Sequence, residues 1–115
     1  MNIEQYFEYD SPNIPADRLN EITESVLDDL YLSSDESGKF NVFFHLLNEY
    51  HFLSMQGLKK ETAYVGYLLS YYLVNPLTPP HSMPLALHYA NEAVRLHETD
   101  KYKEWAALVE KGIDV

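Results

Sequence analysis

Between Ala63 and Val74 the chain reads Ala-Tyr-Val-Gly-Tyr-Leu-Leu-Ser-Tyr-Tyr-Leu-Val, uncharged, with only Gly66 and Ser70 neither apolar nor aromatic. A helix apolar on every side has no solvent face, so it belongs in the middle of a bundle. The run is too short to span a bilayer, which takes about 20 apolar residues. Lys59-Lys60-Glu61 opens this central helix, placed at about residues 61–74. Asn75-Pro76 followed by Thr78-Pro79-Pro80 ends it, because proline lacks the amide hydrogen and clashes with the preceding turn. Upstream, Leu19, Ile22, Val26, Leu27 and Leu30 repeat at threes and fours. They predict an amphipathic helix from Pro15 to Leu32, with Pro15 in its first turn and Asn13 or Ile14 near its cap. Ser33 to Gly38 is a polar connector. Phe40, Phe43, Phe44, Leu46, Leu47, Tyr50 and Leu53 then predict a second helix from Lys39 to Gln56, stopped by Gly57.

Downstream, Leu85, Ala86, Tyr89, Ala90, Ala93, Val94 and Leu96 form a small-residue face behind Ser82 as cap, with Pro84 in the first turn. A fifth helix begins at Thr99 or Asp100, turns Tyr102, Trp105, Ala106, Leu108 and Val109 inward, and stops before Gly112. At the N-terminus, Ile3, Tyr6 and Phe7 give one apolar side to a short turn before Asp10-Ser11-Pro12-Asn13. No alternating strand pattern competes with these periods. The expected fold is all-α, a single-domain bundle of about five helices over residues 1–115 around a buried central helix.

Composition supports a packed core. At 46% apolar and 14% aromatic the chain is not disordered by composition. Its length allows one core that buries roughly two thirds of the unfolded surface. The absence of cysteine removes disulfides, thiolate nucleophiles and cysteine-based zinc sites together. Met1-Asn-Ile-Glu-Gln-Tyr6 has neither a basic n-region nor an apolar h-region, so a cytoplasmic protein is expected.

Charge changes the picture more. The net charge is −10, and residues 1–36 carry ten carboxylates against the single base Arg18. From Lys59 onward seven acids face six bases, close to balance. An acidic lobe repels phosphate backbones and anionic lipid heads, which argues against direct nucleic-acid or membrane binding and for a basic protein partner. Asp28 and Asp29 fall late in the first predicted helix, where acids oppose the macrodipole at a few tenths of a kcal/mol each. That misfit makes them better functional candidates than Asp17. Tyrosine beside carboxylates adds rigid contact area to charge steering. The candidate partner-binding set is therefore Glu21, Glu24, Asp28, Asp29, Tyr31, Asp35 and Glu36. Lysine at Glu24, Asp28, Asp29, Asp35 and Glu36 is expected to slow association while leaving the fold intact.

Catalytic signatures are sparse. His45 and Glu49 stand four apart on the second helix, and His88 and Glu92 repeat that spacing on the fourth. Such spacing puts both side chains on one helix face, as a metal site requires. The denser His-Glu-x-x-His and paired Glu-x-x-His patterns are absent, and His–Glu pairs occur often on polar helix faces. No Gly-x-Ser-x-Gly elbow and no glycine-rich phosphate loop is present. No enzyme, metal or cofactor is expected. Tyr64, Tyr67, Tyr71 and Tyr72 read as core or half-core residues whose hydroxyls reach the surface.

Two resemblances add to this. Ala63-Tyr64-Val65-Gly66-Tyr67 and the run from Ala86 to Leu96 are similar to the first- and second-helix patterns of a tetratricopeptide- or Sel1-type hairpin. The connector from Asn75 to His81 is longer than such a turn, and no second copy follows at the 34-residue period. That resemblance implies protein binding rather than catalysis. In size, charge and all-α character over the whole chain, the sequence resembles the helical immunity proteins that bacteria make against nuclease toxins. It implies a basic partner, such as a toxin nuclease domain, met by an acidic surface; a helical adaptor or self-associating homodimer is the alternative.

Overall fold

The structure is a computed structural model that describes residues 3–7 and 13–112. Five α-helices follow one another among them: α1 (Glu24–Ser33), α2 (Glu36–Met55), α3 (Lys59–Tyr72), α4 (Met83–Leu96) and α5 (Asp100–Glu110). Two 3-10 turns, Ile3–Phe7 and Ala16–Glu21, precede them. No strand occurs among the described residues, and the fold is an all-α bundle.

The centre of the bundle is α3, whose uncharged stretch is buried on nearly every side, as expected. Gly66 is what lets α3 lie close to its neighbours: a Cβ there would stand 3.2 Å from Tyr50 Cε2 and 3.4 Å from the Tyr89 carbonyl. Ser70, sealed in mid-helix, donates to the Ala86 carbonyl at 2.7 Å and accepts from Trp105 Nε1 at 2.8 Å. It therefore ties α3 to both α4 and α5. Tyr6 and Phe7 are buried against this core, giving the apolar turn expected there, while the Asp10–Pro12 turn lies outside the described residues.

Element ends differ from the sequence reading in three places. The helix expected from Pro15 to Leu32 is broken at Ile22-Thr23, with both residues extended. Thr23 caps α1 by accepting from the Val26 amide, and the Ile22 carbonyl accepts the Tyr64 hydroxyl. Two β-branched residues in sequence, one of them a good cap, favour this break. The apolar period runs through it because both pieces bury the same side. Next, α2 begins at Glu36 rather than Lys39: Asp35 is its cap, accepting from the Gly38 amide at 2.7 Å. The connector shrinks to Ser34-Asp35. Finally, α3 does not stop at Asn75. It passes into a π turn, Leu73–Leu77, containing Pro76, and the chain turns away at Thr78 with φ +41°. A π turn is wider than an α turn and relieves the ring clash that would end an α-helix.

The caps at Thr99, Gly57 and Gly112 fall where expected, both glycines at positive φ. Ser82 sits at the start of α4 but its side chain makes no capping bond. Leu108, expected inward, is exposed over 44% of its surface, and Leu85 over 42%.

Candidate protein-binding surface

The seven candidate residues divide by direction. Three turn inward. Glu24 accepts from the Tyr67 hydroxyl at 2.7 Å and pairs with Lys101 Nζ at 3.0 Å. Partial burial opposes its ionisation, but the tyrosine hydrogen bond and Lys101 outweigh it and hold the carboxyl below its ordinary range. Asp28 accepts from the Tyr71 hydroxyl at 2.9 and 3.0 Å. Tyr31 meets Tyr72 edge-on and lies under Lys39 Nζ, 4.5 Å from its ring centre. Glu21 belongs to the 3-10 turn, in a two-pronged pair with Arg18 at 2.8 Å per contact.

The other three face water where α1 meets α2. The Asp29 carboxylate makes no ion pair or hydrogen bond among the described residues, and Asp35 and Glu36 are exposed at the start of α2. Lys39, 3.5 Å from Glu36, is drawn over the Tyr31 ring at the same time. So Asp28 and Asp29, adjacent in sequence, have opposite roles. Because α1 starts only at Glu24, both sit mid-helix rather than late in a long one, and the macrodipole misfit disappears. The tyrosine hydroxyls expected at the surface end instead on α1, on the Ile22 carbonyl and, for Tyr72, on the Lys39 carbonyl at 2.6 Å. Burial, and then the neighbouring Asp28, push the Tyr71 hydroxyl up to about 12, so it remains a donor at neutral pH.

Beside the acidic corner lies an apolar surface absent from the sequence-based candidates. Phe40 and Phe44 stand one turn apart on α2, 48% and 58% exposed, and Leu32 at the end of α1 is 79% exposed. Phe40, Phe43 and Phe44 form one wall of a groove of about 310 Å³, with Leu77, Pro79 and Leu85 opposite. A signal for this was present. Nine apolar or aromatic residues from Phe40 to Leu53 are too many for one buried stripe, so some had to face out.

The histidine–glutamate pairs behave differently from a metal site. Glu49 lies on no polar face: it is 1% exposed. Its Oε1 accepts from the Ile14 amide at 2.8 Å, and its Oε2 has no partner among the described residues. Burial pushes this carboxyl up to about 7, against a smaller opposing effect of the Ile14 amide. His45 packs edge-on against Phe7. Glu92 is held by Arg95 at 2.7 and 2.8 Å, while His88 lies exposed beside Tyr89. Among the described residues, no three histidine or carboxylate side chains gather into a metal-binding group. A second cavity, about 470 Å³, is lined by Leu19, Lys60, Tyr64, His97 and Tyr102 at the other end of α3.

No helix among the described residues is long and apolar enough to cross a membrane. Compared with protein-family models, curated proteins and solved structures, the chain matches none. The fold is that of an all-α bundle, and function has to be argued from the surface.

Proposed function

We propose that this is a non-enzymatic protein-binding protein of the cytoplasm, an antidote of the immunity type that covers a basic partner such as a toxin nuclease domain. The observation carrying this reading is the outward exposure of Asp29, Asp35 and Glu36, with Lys39 beside Glu36 already engaged over Tyr31. A nuclease cleft is cationic because it binds phosphates. An acidic corner complements it and raises the on-rate by steering. The same charge disfavours nucleic acid and anionic lipid as direct ligands.

The test is a pull-down from the source organism at low and moderate salt, followed by association kinetics with the recovered protein. Asp29→Lys with Glu36→Lys is the clean double variant, because neither carboxylate supports the core. Glu24 and Asp28 hold Tyr67 and Tyr71, so their reversal would disturb the fold, contrary to the sequence expectation. Association should slow by about tenfold or more at low salt, with the difference shrinking as salt rises. Unchanged association sinks the acidic-corner mechanism. A helical adaptor or self-associating scaffold is the second reading, favoured by the exposed Phe40 and Phe44. It predicts binding that ignores the charge reversals and is lost on Phe44→Ala.

A further inference from the structure

We infer that the groove between α2 and the proline-rich loop receives a bulky apolar side chain carried by a lysine- or arginine-rich segment of the partner. This rests on the acidic-corner reading and adds to it the anchoring contact. At about 310 Å³ the groove is at the small end of ligand pockets, which run from about 300 to 1,000 Å³, so it accommodates a side chain rather than an element of structure. Its apolar walls and exposed aromatics are the composition of interface hot spots. Its far wall is stiffened by Pro79 and Pro80, whose rings lock φ and leave the backbone little freedom to lose on binding. A preformed wall reduces the ordering cost of binding.

Charge selects the occupant. The groove lining contains no lysine, arginine, aspartate or glutamate. Glu36 stands one turn before Phe40 on the same side of α2, and Asp35 caps the helix beside it. The nearest base, Lys39, points to Tyr31 and Glu36. An occupant therefore meets apolar walls with carboxylates at one end, which suits an aromatic or aliphatic residue flanked by cations. A second copy of this chain is the poorer fit, because each copy carries a net charge of −10 and would bring its own Asp35 and Glu36 to the contact.

The probes are two acetylated, amidated peptides, Lys-Lys-Trp-Lys-Lys and Lys-Lys-Gly-Lys-Lys, titrated into isotope-labelled protein at low salt and followed by NMR. The tryptophan peptide should shift signals of Phe40, Phe44, Leu77 and Leu85. Phe44→Ala or Leu85→Ala, both at exposed positions, should weaken it about tenfold. The glycine peptide should bind more weakly by a similar factor and ignore Phe44→Ala. Equal affinity of the two peptides, with Phe44→Ala neutral, overturns the groove; if Glu36→Lys still weakens both, the acidic-corner reading stands alone. Insensitivity to Glu36→Lys overturns both readings, as does an absence of binding. Sedimentation of the protein alone as a dimer that Phe44→Ala dissociates would make a second copy the occupant, also overturning the inference.

Discussion

Ser70, in the middle of α3, and Glu49, on α2 beneath the N-terminal segment, are both closed off from solvent, at 0% and 1% exposure. Ser70 has both a donor and an acceptor partner, supplied by α5 and α4. Glu49 has one oxygen satisfied by the Ile14 amide and the other without a partner among the described residues. A satisfied hydroxyl in a dry core fixes the packing around it, while a half-satisfied carboxylate leaves a local debt that depends on its proton. The α3–α5 half is thus joined by close packing around Gly66 and Ser70. The N-terminal half shares the same apolar core through Ile14, Leu19, Ile22 and Leu27, and adds polar ties at its edge: Glu49 to Ile14, and the tyrosines of α3 to Ile22, Glu24 and Asp28.

The largest expected effect lies in the first of these regions. Leu69 is fully buried on α3. Leu69→Asp should cost about 4 kcal/mol or more, because the new carboxylate must be buried or the helix must leave the core. Denaturant unfolding measures it directly. A variant that unfolds near the wild-type midpoint would mean that α3 is not the centre of the fold.

Next comes Glu49, where the sign runs opposite to a salt-bridged carboxylate. Its folded pKa, about 7, lies above the unfolded value near 4.5. Between those values the folded state holds the extra proton, so stability falls as pH rises from about 4.5 to 7 and is level above that. A displacement of this size corresponds to a fall of roughly 3 kcal/mol at most. Glu49→Gln keeps an acceptor for the Ile14 amide and does not titrate, so this part of the pH dependence should disappear. Urea midpoints of both proteins at pH 5 and pH 8 decide it. Equal pH slopes in the two would show that water reaches Glu49 and that the N-terminal segment is not held over a dry carboxyl.

The same contrast explains what the sequence could reveal. The regions closed by apolar packing were legible: α3, the alanine face of α4, the caps at Thr99 and Gly57, and the all-α bundle. Each follows from local pattern or turn chemistry. The regions closed by polar contacts were not. Tyr67 and Tyr71 donate to residues 43 positions away, and no local rule reveals which carboxylate a tyrosine will meet. The break at Ile22-Thr23 was hidden because the apolar period continues through it. Asp35 and Glu36 looked like connector residues, although an aspartate before a helical run is itself a cap signal. Glu49 read as a polar-face residue because its partner, the Ile14 amide, leaves no trace in side-chain pattern. The outward turn of Phe40 and Phe44 was foreshadowed by the excess of apolar residues on α2, but the side left over depends on where α1 packs.

The smallest predicted effect tests the attachment itself. Tyr67→Phe removes the hydroxyl that Glu24 accepts and leaves Glu24 its contact with Lys101. Since a charged partner remains, the carboxylate is not orphaned, and the loss should be about 1 kcal/mol rather than the larger cost of an unpaired buried charge. Global unfolding alone would not separate this from a repacked ring. Amide hydrogen exchange does: α1 should open several-fold more often in Tyr67→Phe, while the mid-helix amides of α3 keep their protection. If α1 and α3 lose protection together, the two halves unfold as one unit, and the hydroxyl contacts are not what attaches α1. If neither changes, the apolar packing of Leu27 and Leu30 together with Tyr71 on Asp28 suffices to hold α1, and its attachment does not rest on the Tyr67 hydroxyl.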